Sequence, residues 1–95
     1  MKSQAIIVEI LGTFIFFSII LSAVADSSYG PIAIAVGLLA AIYFGGKISG
    51  GHYNPAVSFM MLIKGNIDTI TAISYIIAQI IGALLAVFVN SFLIM

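Results

Sequence analysis

Residues 49 to 57 read Ser49-Gly50-Gly51-His52-Tyr53-Asn54-Pro55-Ala56-Val57. Asn54 is a favoured N-cap and Pro55 suits a first helical position, so a helix is predicted to start here. The apolar run Pro55 to Ile63 is nine residues long and closes on Lys64-Gly65-Asn66, a cation and then a glycine. Nine helical residues reach ~13.5 Å, about half a bilayer. The segment is too short to span, and it is flanked by polar, glycine-rich chain. A re-entrant half-helix over 55–63 accounts for both facts. Irregular backbone at membrane depth survives only where it is buried in protein or lines a watery cavity.

Outward from this stretch lie three longer apolar runs. The first covers residues 5–25 and holds one charge, Glu9. After the turn-like Asp26-Ser27-Ser28-Tyr29-Gly30, the second covers 31–48, with Pro31 at its start and Lys47 able to snorkel at its end. The third covers 68–94. The first and third are long enough to cross a ~30 Å hydrocarbon core as helices; the second is a little short, and its extension through Lys47 and Ile48 closes most of the gap. Small residues recur every fourth position, at Ala33, Gly37, Ala41 and Gly45 in the second run and at Ala78, Gly82 and Ala86 in the third. That spacing lets helices approach closely in lipid.

Composition agrees. Of 95 residues, 63% are hydrophobic and 6% are charged, against about 25% charged in an ordinary soluble domain. The expected fold is an all-α membrane protein, three transmembrane helices plus one re-entrant half-helix, forming one unit over 1–95. Its location is then integral and multi-pass, in the cell or cytoplasmic membrane, with the lipid bilayer as first partner. The apolar content excludes disorder. Three lysines, no arginine and zero net charge exclude nucleic acid as a partner. No cysteine is present, no metal cluster or nucleophile–base pair is visible, and no cofactor is expected, so the chain does not read as an enzyme. Lys2, the first apolar run and Ala23-Val24-Ala25 imitate a signal peptide. The length of the run and Glu9 within it instead predict a retained span.

The chemistry concentrates at the loop. As an N-cap, Asn54 would accept a backbone N–H through its side-chain oxygen, leaving its NH₂ group to face a passing solute. The glycines permit an extended loop whose carbonyls lack secondary-structure partners. Carbonyl acceptors beside an amide donor suit a file of water, and the positive end of the half-helix opposes protons and cations.

The stretch Ser-Gly-Gly-His-x-Asn-Pro-Ala-Val resembles the first Asn-Pro-Ala loop of the aquaporin and glycerol-facilitator (major intrinsic protein) family. Glu9-x-x-Gly12-Thr13-Phe14 resembles the family's first-helix pattern, and Tyr75-x-x-Ala78-Gln79-x-x-Gly82-Ala83 its third-helix pattern. The resemblance implies a passive channel for water and small neutral solutes such as glycerol. It implies that Asn54, with Pro55 and Ala56, lies at the pore midplane, and that carbonyls of Gly51, His52 and Tyr53 line the track. Glu9 would be a buried support holding the loop backbone by hydrogen bonds, in preference to a proton relay. His52 would order the loop in preference to gating by pH. For Gln79, a bond across the helix interface or to the loop and a purely local one both stay open.

Two departures stand out. Family members carry two inverted halves, a common plan in transport proteins, whereas the resemblance here covers the first half and the sequence contains one Asn-Pro-Ala. The family's filter arginine follows the second such motif; here the position after the motif is Val57, and the family's other filter position falls on Ile34. A self-paired channel would have an apolar, arginine-free filter. Three spans and a half-helix do not enclose a pore. An inverted homodimer, assembling into a higher oligomer, is the expected solution, with a separate second-half chain as the alternative. With the N-terminus inside, Lys2, Lys47 and Lys64 all fall on the cytoplasmic side and Asp26 outside, a bias toward one orientation. A non-conducting half-subunit and a small lytic, holin-like membrane protein are the competing readings.

Overall fold

The computed structural model describes residues 3–25 and 30–93. Four helices follow in order: α1 (Ser3–Ala25), α2 (Gly30–Ser49), α3 (Pro55–Lys64) and α4 (Thr69–Asn90). No strand occurs among the described residues. Three helices, α1, α2 and α4, are long and apolar enough to cross a membrane. Their 23, 20 and 22 residues correspond to ~35, ~30 and ~33 Å. The ten residues of α3 reach ~15 Å, half that depth. The all-α plan of three spans and a re-entrant half-helix is the architecture observed.

Helix α1 is central, with α2 and α4 on its two sides, and α3 packs on α4. Of the small residues expected to face a neighbour, Gly37, Ala41 and Gly45 of α2 and Ala78, Gly82 and Ala86 of α4 are buried, while Ala33 is only half-buried. At Gly82 an added Cβ would lie 2.6 Å from the Ile10 carbonyl oxygen and 3.1 Å from the Phe14 nitrogen. Only glycine lets the α1 and α4 backbones come this close. The apolar core between α1 and α2 is Val8, Phe16, Ala41 and Tyr53. Phe17, Ile20, Ile34 and Leu38 pack against it, while many other large apolar side chains, such as Ile32, Leu39, Ile77 and Phe88, point outward, as lipid or a protein partner requires.

The helix ends are set locally. Asn54 has extended backbone and its side chain accepts the Ala56 N–H, with Pro55 in the first helical position. At the other end of α3, Gly65 adopts φ 85°, and the N–H groups of Gly65 and Asn66 reach the carbonyls of Leu62 and Met61, a Schellman closure. Asp68 caps α4 by accepting the Thr71 N–H at 2.8 Å. Hydrogen bonding from the Thr71 side chain and backbone holds its carboxyl below the usual carboxylate range.

The third span differs from the expected 68–94. Its helix ends at Asn90, and Phe92 and Leu93 turn back on the carbonyls of Val89 and Asn90. The Asn90 amide donates to Ser18 Oγ and the Ala86 carbonyl, and Ser91 Oγ to the Phe88 carbonyl. The Ser91 hydroxyl takes the Phe88 carbonyl, the group a Phe92 N–H would need to continue the helix. The turn expected at Asp26–Tyr29, together with Lys2 and residues 94 and 95, lies outside the described residues.

Candidate functional site

The site is the loop between α2 and α3. Gly50, Gly51 and Tyr53 all have positive φ, at 95°, 66° and 52°. This conformation turns the amide groups of the loop one way. The Gly51 N–H donates to Ser49 Oγ at 3.1 Å, the His52 N–H to Glu9 Oε2 at 3.1 Å and the Tyr53 N–H to Glu9 Oε1 at 2.8 Å. Among the described residues no donor meets the carbonyls of Gly50, Gly51, His52 or Tyr53. The loop thus commits its donors inward and leaves its acceptors over.

Glu9 is fully buried on α1. Besides the two loop amides it accepts Ser49 Oγ at 2.7 Å and Gln79 Nε2 at 2.9 Å. Among the described residues four donors and no cation converge on it. The second Gln79 amide hydrogen goes to Ser58 Oγ at 2.9 Å, so Gln79 joins α1, α4 and α3. Among the described residues, the buried oxygens Gln79 Oε1 and Thr13 Oγ1 have no hydrogen-bond partner.

The buried His52 ring places Nδ1 2.8 Å from Ser58 Oγ and stacks edge-on against Tyr75 with ring centres 5.1 Å apart. The Tyr75 hydroxyl donates to the Ser49 carbonyl at 2.6 Å. Around the half-helix tip, Asn54 and Ala56 are exposed, and Gly51, Pro55 and Val57 are half-buried. Asn54 Oδ1 is taken by the Ala56 N–H at 2.8 Å. Tyr53 is wholly buried, with its side chain turned inward. Ile34 sits on α2, half-buried against the Val8–Phe16–Ala41–Tyr53 cluster.

Sequence reasoning did not single out Ser49, Ser58 or Tyr75 as partners. The signal was periodicity. Ser58 follows Asn54 by four residues, and Tyr75 precedes Gln79 by four, so each lies one helical turn from a residue already in view.

A family profile described as Major intrinsic protein matches residues 2–95. The chain belongs to the major intrinsic protein family. It is 49% identical over 83 residues to Glycerol uptake facilitator protein-like 6 of Lactiplantibacillus plantarum, covering 82% of this chain and 38% of that relative. It is 40% identical over 82 residues to Aquaporin TIP2-1 of Arabidopsis thaliana, covering 82% of this chain and 33% of the relative. Probable aquaporin TIP2-2 of Oryza sativa subsp. japonica is 37% identical over 95 residues, 85% and 38% of the two chains. The chain therefore spans under two-fifths of the length of these relatives. No solved structure matches it significantly. Membership of this family and the three apolar helices make the chain an integral, multi-pass membrane protein.

Proposed function

We propose that this chain forms half the wall of a passive conduit for water and small neutral solutes such as glycerol, completed by a second, inverted half-repeat whose Asn-Pro-Ala loop meets Asn54. One observation carries the reading. Asn54 is exposed at the tip of a half-helix with its oxygen already used by the Ala56 N–H, so what it offers a solute is a pair of donors. Beside it run the loop carbonyls of Gly51 and His52; that of Tyr53 is buried within this half. A water passing this point accepts from Asn54 and donates to carbonyls. The helix N-terminus and the amide hydrogens both disfavour a cation there. No bond is made or broken, so the activity is transport down a gradient.

Ile34 and Val57 form the apolar side of the filter. With no arginine in the chain, a methylene-bearing solute meets less polar competition there. A relative named as a glycerol uptake facilitator at 49% identity supports the inclusion of glycerol. A second copy of this chain supplies the inverted half, and pairs assemble into a higher oligomer. The three lysines, which favour one insertion direction, support the second reading, in which a separate chain supplies that half.

Osmotic shrinkage of vesicles holding the purified chain tests this. Rapid water flux without leakage of an entrapped dye is expected. Flux that appears only when a second half-repeat chain is added assigns the other half to that chain. Dye leakage would replace the conduit by a lytic protein.

A further inference from the structure

We propose that the Tyr53 side chain is a positioning residue: its hydroxyl clasps the loop to α2 and so sets the distance between Asn54 and the α2 wall. The functional consequence rests on the conduit reading. The loop is tied to α1 through Glu9, which accepts the His52 and Tyr53 N–H groups, while α4 holds the elements on either side of it, Tyr75 at Ser49 of α2 and Gln79 at Ser58 of α3. Its side-chain tie back along α2 is the Tyr53 hydroxyl, which donates to the Ala41 carbonyl at 2.6 Å. Ala41 lies eight residues before the end of α2 at Ser49, about 12 Å along the helix. The ring thus reaches from the loop tip two turns back along α2.

The fit around the ring is specific. Tyr53 is wholly buried. A Cβ at Gly12 of α1 would overlap the ring, and a Cβ at Gly45 of α2 would lie 2.8 Å from its hydroxyl. Two glycines on different helices therefore form the slot. The backbone makes the same point. Gly50, Gly51 and Tyr53 share positive φ, a region that costs little for glycine and is strained for tyrosine. Were the backbone alone at issue, glycine would serve at the third position as it does at the first two. A strained residue persists where its surroundings hold it, and here the surroundings hold the ring and its hydroxyl.

Tyr53→Phe isolates the clasp. It keeps the ring, and the Ala41 carbonyl keeps its helical partner, the Gly45 N–H, so no buried group is orphaned. In lipid nanodiscs, hydrogen exchange at the amides of residues 52 and 53 is expected to rise about tenfold. In vesicles the glycerol-to-water permeability ratio is expected to change by about threefold, a shift near 0.65 kcal/mol in relative barriers. Loss of folded protein scales both permeabilities together and leaves the ratio alone. Gly12→Ala, which crowds the ring, should raise exchange in the parent chain and have little further effect in a Tyr53→Leu background. Unchanged exchange in Tyr53→Phe would overturn the clasp. Raised exchange with an unchanged ratio would overturn the positioning role. Failure of the parent chain to conduct both alone and with a second half-repeat chain would sink the conduit reading, while the exchange data would still decide the clasp.

Discussion

At Asn54 the chemistry turns on which side-chain atoms are already used. Asp caps a helix as well as Asn, so Asn54→Asp should insert and fold like the parent. It exchanges two donors for a negative charge. Vesicles carrying it are expected to admit protons and potassium that the parent excludes, read with a pH-sensitive dye under a potassium gradient. Unchanged cation exclusion would remove Asn54 from the pathway. At Glu9 the issue is satisfaction. Each carboxylate oxygen takes two donors, and an amide nitrogen placed on either side would orphan its pair. Glu9→Gln should therefore cost about 3 kcal/mol, from two buried groups at ~1–3 kcal/mol each with partial rearrangement of Ser49. Denaturant titration of the detergent-solubilised protein measures it. The capping role of Asn54 is legible in local sequence because a cap involves neighbours. The Glu9 network joins residues up to 70 positions apart, and the one-turn spacing of Ser58 from Asn54 does not show that it meets Gln79 of that network.

At the scale of elements, two glycines serve opposite purposes. Gly82 faces the α1 backbone, and a methyl there would meet main-chain atoms that cannot rotate away. Gly82→Ala should destabilise the α1–α4 pair by about 1–3 kcal/mol through overpacking. Gly65 has no neighbour within 4 Å of the same added atom, but its φ is +85°. Gly65→Ala should cost about 1 kcal/mol of backbone strain and leave helix packing unchanged. Thermal unfolding followed by helical circular dichroism, with helix-to-helix cross-linking as the packing readout, separates the two. Element type was readable throughout from run length, breakers and the four-residue spacing of small residues. The end of α4 was not. Asn90 and Ser91 sit in a run whose hydropathy favours continuation, and at the turn over 91–93 the Ser91 hydroxyl captures the Phe88 carbonyl.

For the whole molecule, inversion makes a geometric prediction. Two half-helices meeting at Asn54 bring their N-terminal tips together and send their other ends apart. Seven residues separate Ala56 from Ile63, ~10 Å of helix on each side, so the two copies of Ile63 stand on the order of 20 Å farther apart than those of Ala56. The chain has no cysteine of its own. Under mild oxidation in membranes, Ala56→Cys should form a disulfide-linked dimer and Ile63→Cys should not. The reverse pattern would reject inverted pairing. What the sequence by itself determined is the set of elements, the membrane as solvent and the one tip where polar groups gather. Each of these follows from hydropathy, helix length and capping, which act over a few residues. Tertiary structure alone decided that one carboxylate receives two loop amides, that Gln79 bridges three helices, and that the Tyr53 ring occupies a slot between Gly12 and Gly45. Those facts depend on which side chains the packing of α1 between α2 and α4 brings within hydrogen-bond reach, and no local pattern encodes that distance.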